Sequence, residues 1–337
     1  MHHEPCLIVG AGPIGLACAI SAKRRGLDPL VIDAGPIVAS IVKYPVGMTF
    51  FTTPERLEIG RHPIVCAGAK PTREEAMMYY RGVVRTEEIR LRTWTRLTGA
   101  ERQGGGPLVC GLGDGETVTT DRLVLATGYF DQTNRLDVPG EDLPHVTHYA
   151  DEAHLSYGLD VVVIGGKNSA VEMALALWRS GARVTLVYRG TAFKPSVKYW
   201  LRPDIENRIR NGEIAARLGA AVTSITPRNV EIRHADGASE TLPADRVYAL
   251  TGFLPDFALF ERIGIRLDHD GRPELDPESL ETNVPGVHMA GSIVAGRAIS
   301  EVFIENGRWD GEKIFGNPVE RRAAQARYGE TPRPIGE

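Results

Sequence analysis

Cys6-Leu-Ile-Val-Gly-Ala-Gly-Pro-Ile-Gly15, followed by the run Leu16 to Arg25 and by Pro29-Leu-Val-Ile-Asp33, decides how this chain folds. Cys6 to Val9 is a short apolar run with the character of a buried parallel strand. Leu16 to Arg25 has the apolar spacing and alanine content of a helix, and Gly26 stops it. A second strand ends at Ile32, and Asp33 closes it eighteen residues after Gly15. Each glycine has its reason: Gly10 for a tight turn, Gly12 for backbone approach to a pyrophosphate, Gly15 for close helix–strand packing. The helix N-terminus offers free N–H groups and partial positive charge to that pyrophosphate. Asp33 is placed to accept hydrogen bonds from an adenosine ribose. A lone GxGxxG carries little, but here the flanking pattern is complete. The unit is read as a nucleotide site.

Length sets the scale around it. At 337 residues the chain exceeds one ordinary domain, and 42% apolar with 24% charged residues fits a globular protein with ample core material. A net charge of −4 provides no global basic field for nucleic acid or an anionic membrane. No apolar run has the length of a membrane span, and the start of the chain lacks the Lys or Arg of a signal peptide. A cytoplasmic protein is expected. Cys6, Cys18, Cys66 and Cys110 form neither a CxxC nor a zinc spacing, so no local dithiol or metal site is expected.

After Gly35-Pro36 comes a loop rich in hydroxyls and aromatics, Tyr44-Pro-Val-Gly-Met-Thr-Phe-Phe-Thr-Thr53. It reads either as a packed loop or as one folded over a flat ring system. Thr72, followed by Glu74 and Glu75, caps a helix over 72–85. Its Met77-Met-Tyr-Tyr80 cluster reads as core. Residues 88–125 look like a β-meander ending in Arg122-Leu-Val-Leu-Ala-Thr-Gly-Tyr129. Pro139-Gly140 and the polar stretch to Tyr157 read as a linker. His145, His148 and His154 within it match no metal motif and read as hinge and interface residues.

A second strand–loop–helix begins at Asp160-Val-Val-Val-Ile164 and continues Gly165-Gly-Lys-Asn-Ser-Ala170. Lys167 occupies the middle glycine position of the fingerprint and Ala170 the third. Arg183-Val-Thr-Leu-Val187 follows, ending Tyr188-Arg189. An acid at this strand end suits a ribose hydroxyl, whereas an arginine suits a 2′-phosphate. The first site is therefore expected to take an adenosine without 2′-phosphate and the second NADP(H), with Lys194 and Lys198 adding charge. A second meander over 218–250 ends in Thr251-Gly-Phe-Leu-Pro255, echoing Ala126-Thr-Gly-Tyr129. Two copies of one plan imply two nucleotides that react together, and hydride transfer from nicotinamide to flavin fits. Thr282 to Ser292 forms one more strand ending in a glycine turn, and Ala298 to Gly311 can form a helix aimed at that site. From Pro318 onward the tail is charged and without periodicity.

The paired fingerprints, the Thr-Gly-aromatic turns and Ala290-Gly291 resemble thioredoxin-reductase-like flavoproteins. Tyr44-Pro, Thr49-Phe-Phe51, Leu57-Glu-Ile-Gly60, Gly165-Gly-Lys-Asn-Ser-Ala170, Tyr188-Arg-Gly190 and Phe303-Ile-Glu-Asn-Gly307 are similar to the YpdA family of bacillithiol disulfide reductases. The resemblance runs to about residue 315. It implies an α/β protein with two Rossmann-like domains in three ββα layers, the NADPH domain inserted in the FAD domain. The expected division is 1–148 and 256–317 for FAD, 149–255 for NADPH, and 318–337 as a flexible tail. FAD is expected on Gly10, Gly12, Pro13, Ile14, Gly15 and Asp33, under Tyr44, Thr49 and Phe50, and against Thr127, Gly128, Gly291 and Ser292. NADPH is expected on Gly165, Gly166, Lys167, Asn168, Ser169, Ala170, Arg189 and Lys194. The resemblance also implies a homodimer or homotetramer.

Two departures bear on the acceptor. Thioredoxin reductases carry a CxxC before the second fingerprint, where this chain has His148-Tyr-Ala-Asp-Glu-Ala-His154. Family members with a proposed catalytic cysteine carry it inside the first glycine loop, where this chain has Ile14. An aliphatic side chain forms no mixed disulfide, so Cys18, one helical turn further on, is the nearest substitute and no catalytic residue is assigned. The expectation is an FAD- and NADPH-dependent oxidoreductase acting on a low-molecular-weight disulfide. The rival readings are a ferredoxin or flavodoxin reductase or diaphorase, a flavin monooxygenase, and a non-catalytic redox sensor.

Overall fold

The computed structural model describes residues 2–102, 104–298 and 301–330. The chain forms two compact units. One gathers residues 2–42, 47–132 and 253–330, and the other joins Lys43–Val46 to Thr133–Gly252.

In the first unit Leu7–Val9 lies inside a five-stranded parallel sheet. The order is Val287–Met289, Leu123–Leu125, Leu7–Val9, Leu30–Ile32, Arg90–Arg92. Strands covered on both faces must be apolar throughout, which is why the three inner strands, Leu123–Leu125, Leu7–Val9 and Leu30–Ile32, read as unbroken Leu, Ile and Val, while the edge strands carry His288, Arg90 and Arg92. Successive side chains alternate between faces. Leu7 and Val9 pack with Leu97, Leu108, Cys110 and Val118 of a second, four-stranded sheet. The helix Pro13–Lys23 packs along the same parallel strands. Each such fully buried aliphatic side chain contributes roughly 1.5–3 kcal/mol by leaving water.

The second unit repeats the plan. Its parallel sheet runs Val146–Thr147, Arg246–Ala249, Asp160–Ile164, Arg183–Tyr188, Ala215–Leu218. Val161 and Val163 face the helix Asn168–Arg179. Val162 and Ile164 face the antiparallel meander Ala220–Ile225, Asn229–His234, Ser239–Pro243. Both units are thus sheet, sheet and helix, the doubled α/β architecture expected from the two fingerprints.

The helix Arg73–Thr86 opens with a reciprocal capping box. Thr72 Oγ1 accepts from Glu75 N–H at 3.2 Å, and Glu75 Oε2 accepts from Thr72 N–H at 2.7 Å. Of its Met and Tyr cluster, Tyr80 is wholly buried and donates to Leu57 O at 2.9 Å, whereas Met78 is exposed. Helical periodicity turns the two to different faces, so the cluster is core only in part.

Three expectations need correction. The stretch read as a linker from Pro139 belongs to the second unit, which begins at Thr133 rather than 149. The reason is packing: a Cβ on Gly140 would meet Ile225 O at 1.8 Å, and buried Glu141 accepts from Leu136 and Asp137 N–H. Second, Ala298–Gly311 is not one helix. Residues 299 and 300 lie outside the described set, and the remainder forms Ile304–Gly307 and then the start of Asp310–Phe315. Third, the tail is helical over Pro318–Glu330, with 331–337 outside the described residues. Asn317 Oδ1 accepts from Val319 and Glu320 N–H, Ala324 is buried, and Arg327 lies 4.6 Å over Trp309. Charge there marks an outward face, not a lack of structure.

Candidate nucleotide sites

The first glycine loop is shaped by what cannot fit. Gly10 has φ +114°, and a Cβ on it would stand 2.3 Å from Ala126 O. A Cβ on Gly15 would stand 1.9 Å from Gly10 O, so the helix sits directly on the turn. Before Gly12 there is nothing within 4 Å, which leaves that backbone open to an approaching group. Gly12 caps the helix without a side-chain bond and Pro13 occupies its first turn. The remaining N–H groups of that turn therefore face outward without a protein cap.

Asp33 does more than its position implied. Its two carboxylate oxygens accept from Ala11 N–H and Gly35 N–H, each at 2.7 Å, so it also fixes the loop. Burial pushes its carboxyl up and these two bonds pull it back. Each oxygen keeps a lone pair for a ribose hydroxyl. Gly10, Asp33, Thr127 and Gly128 line one pocket, joined by Arg96 and Tyr129. Thr127 Oγ1 is buried and has no hydrogen-bond partner among the described residues. An orphan hydroxyl beside an open glycine loop fits a polar ligand there. Arg96 arrives just ahead of the Leu97–Arg102 strand, and its sequence context gives no sign of it.

The other expected contacts of this site form around Ile14. A Cβ on Gly291 would meet Ile14 Cγ1 at 3.1 Å, and one on Gly307 would meet Ile14 Cδ1 at 3.0 Å. Gly291 N–H donates to the wholly buried Asp310 at 2.8 Å, while Ser292 follows in a short 3-10 turn. Arg308 donates to Glu55 O and Glu58 O, tying the segment after Thr49 and Phe50 to the same place. Phe50 is buried and Thr49 exposed. Glu305, part of the Phe303–Gly307 motif but given no site role in the sequence reading, is pushed up by burial and held back by hydrogen bonds to its own backbone and to Thr52. Tyr44 falls with Lys43–Val46 in the second unit.

The cysteines provide no relay. Cys18 is wholly buried, and burial holds its thiol well above the ordinary range. Gly311 comes so close to it that a Cβ there would stand 2.9 Å from Cys18 Cα. Burial pushes Cys6 and Cys110 up to about 12. Cys66, the least buried, contacts Gly68 O in a separate loop, and all four thiols are free.

The second loop is built alike. Gly165 has φ +142°, and a Cβ on it would meet Leu250 O at 2.5 Å. Lys167 caps the helix Asn168–Arg179 in extended conformation, without a side-chain bond. Asn168 donates to Ser196 O at 3.1 Å and accepts from Lys198 N–H at 2.9 Å, so its amide braces the 196–198 loop. Ala170 is buried beneath Gly165, and Ser169 is exposed at the helix start. Lys167, Arg189 and Lys194 are all exposed. Among the described residues none of the three pairs with a carboxylate, whereas Arg183, Arg202, Arg208, Arg217 and Arg246 of this unit all do. The charge of Lys167 is thus presented to solvent. Of the three histidines, His148 has Nδ1 3.2 Å from Ala249 O and Nε2 3.5 Å from Glu141, and His154 is exposed. No helix among the described residues is long and apolar enough to cross a membrane.

Two glycine loops of this kind define a two-nucleotide oxidoreductase, and the model of the pyridine nucleotide-disulphide oxidoreductase family matches residues 7–291. Bacilliredoxin reductase Bdr of Bacillus subtilis (strain 168) is 44% identical over 322 residues, 95% of this chain and 99% of that protein. The solved bacillithiol disulfide reductase Bdr (YpdA) from Bacillus cereus is 40% identical, with TM-score 0.88 over 98% of this chain and all of that one. A ferredoxin–NADP reductase of Ignicoccus hospitalis is 30% identical over 302 residues, 85% and 89% of the two chains. The chain belongs to the pyridine nucleotide-disulphide oxidoreductase family and, within it, to the Bdr (YpdA) flavoproteins. It is an oxidoreductase using a flavin and a nicotinamide nucleotide, on a fold shared with thioredoxin reductases.

Proposed function

We propose that the flavin is FAD on the first loop, that the nicotinamide donor is NADPH on the second, and that the acceptor is a low-molecular-weight disulfide such as bacillithiol disulfide. The observation that carries this is the pair of open glycine loops with different strand ends, Asp33 in one and Arg189 in the other. Asp33 suits a bare ribose, while unpaired Arg189, Lys167 and Lys194 suit a 2′-phosphate. Bound flavin supplies the two-electron chemistry that links a hydride donor to a disulfide. The chain's own contribution is positioning: uncapped N–H groups for the pyrophosphate, Asp33 for the ribose, and the close-packed Ile14–Gly291–Gly307 surface. It brings no dithiol, so the disulfide is reduced without a protein thiol relay. This reading includes a homodimer or homotetramer in the cytoplasm, which sedimentation and fractionation would check.

The test is anaerobic NADPH consumption by the purified yellow protein, with and without bacillithiol disulfide. Disulfide-dependent turnover is the expected result. Flavin that bleaches with NADPH, ignores the disulfide and reoxidises with ferredoxin or flavodoxin would move the protein to the second reading. The lack of a usable thiol and the ferredoxin–NADP reductase likeness are what favour that alternative.

A further inference from the structure

Tyr188 ends the strand Arg183–Tyr188, and its ring occupies an unusual place. A Cβ on Gly166 would stand 2.4 Å from Tyr188 Cγ, and one on Gly190 would stand 2.6 Å from Cε1. The ring is therefore pressed between the backbone of the glycine loop and the backbone just past the strand. Neither glycine has the left-handed conformation that would itself require glycine, so close approach to this ring is what demands the missing side chains. Phe193, itself buried, lies parallel to the same ring at 6.5 Å between centroids and 5° between planes.

Each of these three neighbours adjoins a basic residue in sequence: Gly166 precedes Lys167, Gly190 follows Arg189, and Phe193 precedes Lys194. All three cations are exposed, and among the described residues none of them pairs with a carboxylate. Like charges left unpaired near one loop repel, so something must hold their backbones in place before an anion arrives. One rigid aromatic ring, with two χ angles, provides a common support.

We propose that Tyr188 is the positioning residue that sets the spacing of Lys167, Arg189 and Lys194, and so selects a nucleotide carrying a phosphate monoester on its ribose. The inference rests on the reading of the second loop as the NADPH site. Tyr188 acts through the cations and not by touching the phosphate, and the ring rather than the hydroxyl does the work.

The probes are 2′,5′-ADP and 5′-AMP, titrated calorimetrically into the flavin-loaded parent, Tyr188→Ala, Tyr188→Phe and Gly190→Ala proteins. The parent is expected to bind 2′,5′-ADP far more tightly than 5′-AMP. Tyr188→Ala is expected to lose about tenfold or more for 2′,5′-ADP and less than about twofold for 5′-AMP. Tyr188→Phe should match the parent. Gly190→Ala, which drives a methyl into the ring, should repeat the selective loss if Tyr188→Ala does not fold. Equal losses for both probes, no loss, or a Tyr188→Phe protein as impaired as Tyr188→Ala would overturn the proposal. A parent that does not distinguish the two probes would instead overturn the NADPH reading beneath it.

Discussion

Arg189 and Asp33 occupy equivalent strand ends and carry opposite charge, and the preference for one nucleotide over another is concentrated there. Arg189→Ala removes one charge-assisted contact of roughly 1.5–3 kcal/mol, so NADPH preference over NADH should fall about 10–150-fold. Steady-state kcat/KM for both nucleotides checks this, and an unchanged ratio would remove Arg189 from the site. Cys18→Ala should leave turnover within about twofold, because a thiol whose burial keeps it protonated is a poor nucleophile. A large loss of kcat with flavin content intact would contradict that.

At the scale of elements, both glycine loops were legible in the sequence because each glycine answers a local requirement. Gly10 and Gly165 need positive φ, and Gly15 needs contact with the Gly10 carbonyl. Gly15→Ala, with its Cβ 1.9 Å from that oxygen, should yield protein stripped of flavin, read as a fall in the visible-to-280 nm absorbance ratio. Thr72→Ala breaks the capping box and should cost about 1 kcal/mol, seen as a lower Tm. Other elements were hidden for physical reasons. Tyr188 looks like an ordinary strand residue because Gly166 and Gly190 betray their role only through a neighbour distant in sequence. Arg96 reaches the first pocket from a meander whose alternation predicts strands and not what they adjoin. The final helix did announce itself, through Asn317, Pro318 and Glu320 as a capped start, but its dense charge masked the signal. The Ala298–Gly311 segment has the composition of a helix, and its break reflects Asp310 and Gly307 being claimed by Gly291 and Ile14.

For the whole molecule, two carboxylates give stability opposite dependences on pH. Arg217, with help from His234, holds Glu240 at about 2, below its ordinary 4.5. That group's contribution is complete above pH 4.5 and is lost as pH falls toward 2; solvent exposure limits it to about 1 kcal/mol. Burial pushes Asp310 up to about 6, so the folded state holds its proton where the unfolded chain has released it. Its contribution is complete at low pH and is lost as pH rises through 6. Thermal melts between pH 3 and 8 should show Glu240→Gln losing the acid-side slope. Asp310→Asn should gain relative to the parent as pH rises from 4 to 7. Parallel pH curves for parent and variant would refute either assignment.

The chain leaves the first unit near Gln132 and re-enters it at Phe253. During synthesis the ribosome therefore finishes Thr133–Gly252 of the second unit, with Lys43–Val46 already made, before the first has its Val287–Met289 strand. The nascent first unit must wait with the Leu123–Leu125 edge unpaired, about 160 residues short of closure at Leu123, or roughly 8–32 seconds at ordinary rates of synthesis. Chaperone demand and any premature-termination product should accordingly reflect this half-built sheet, while the inserted unit is already complete.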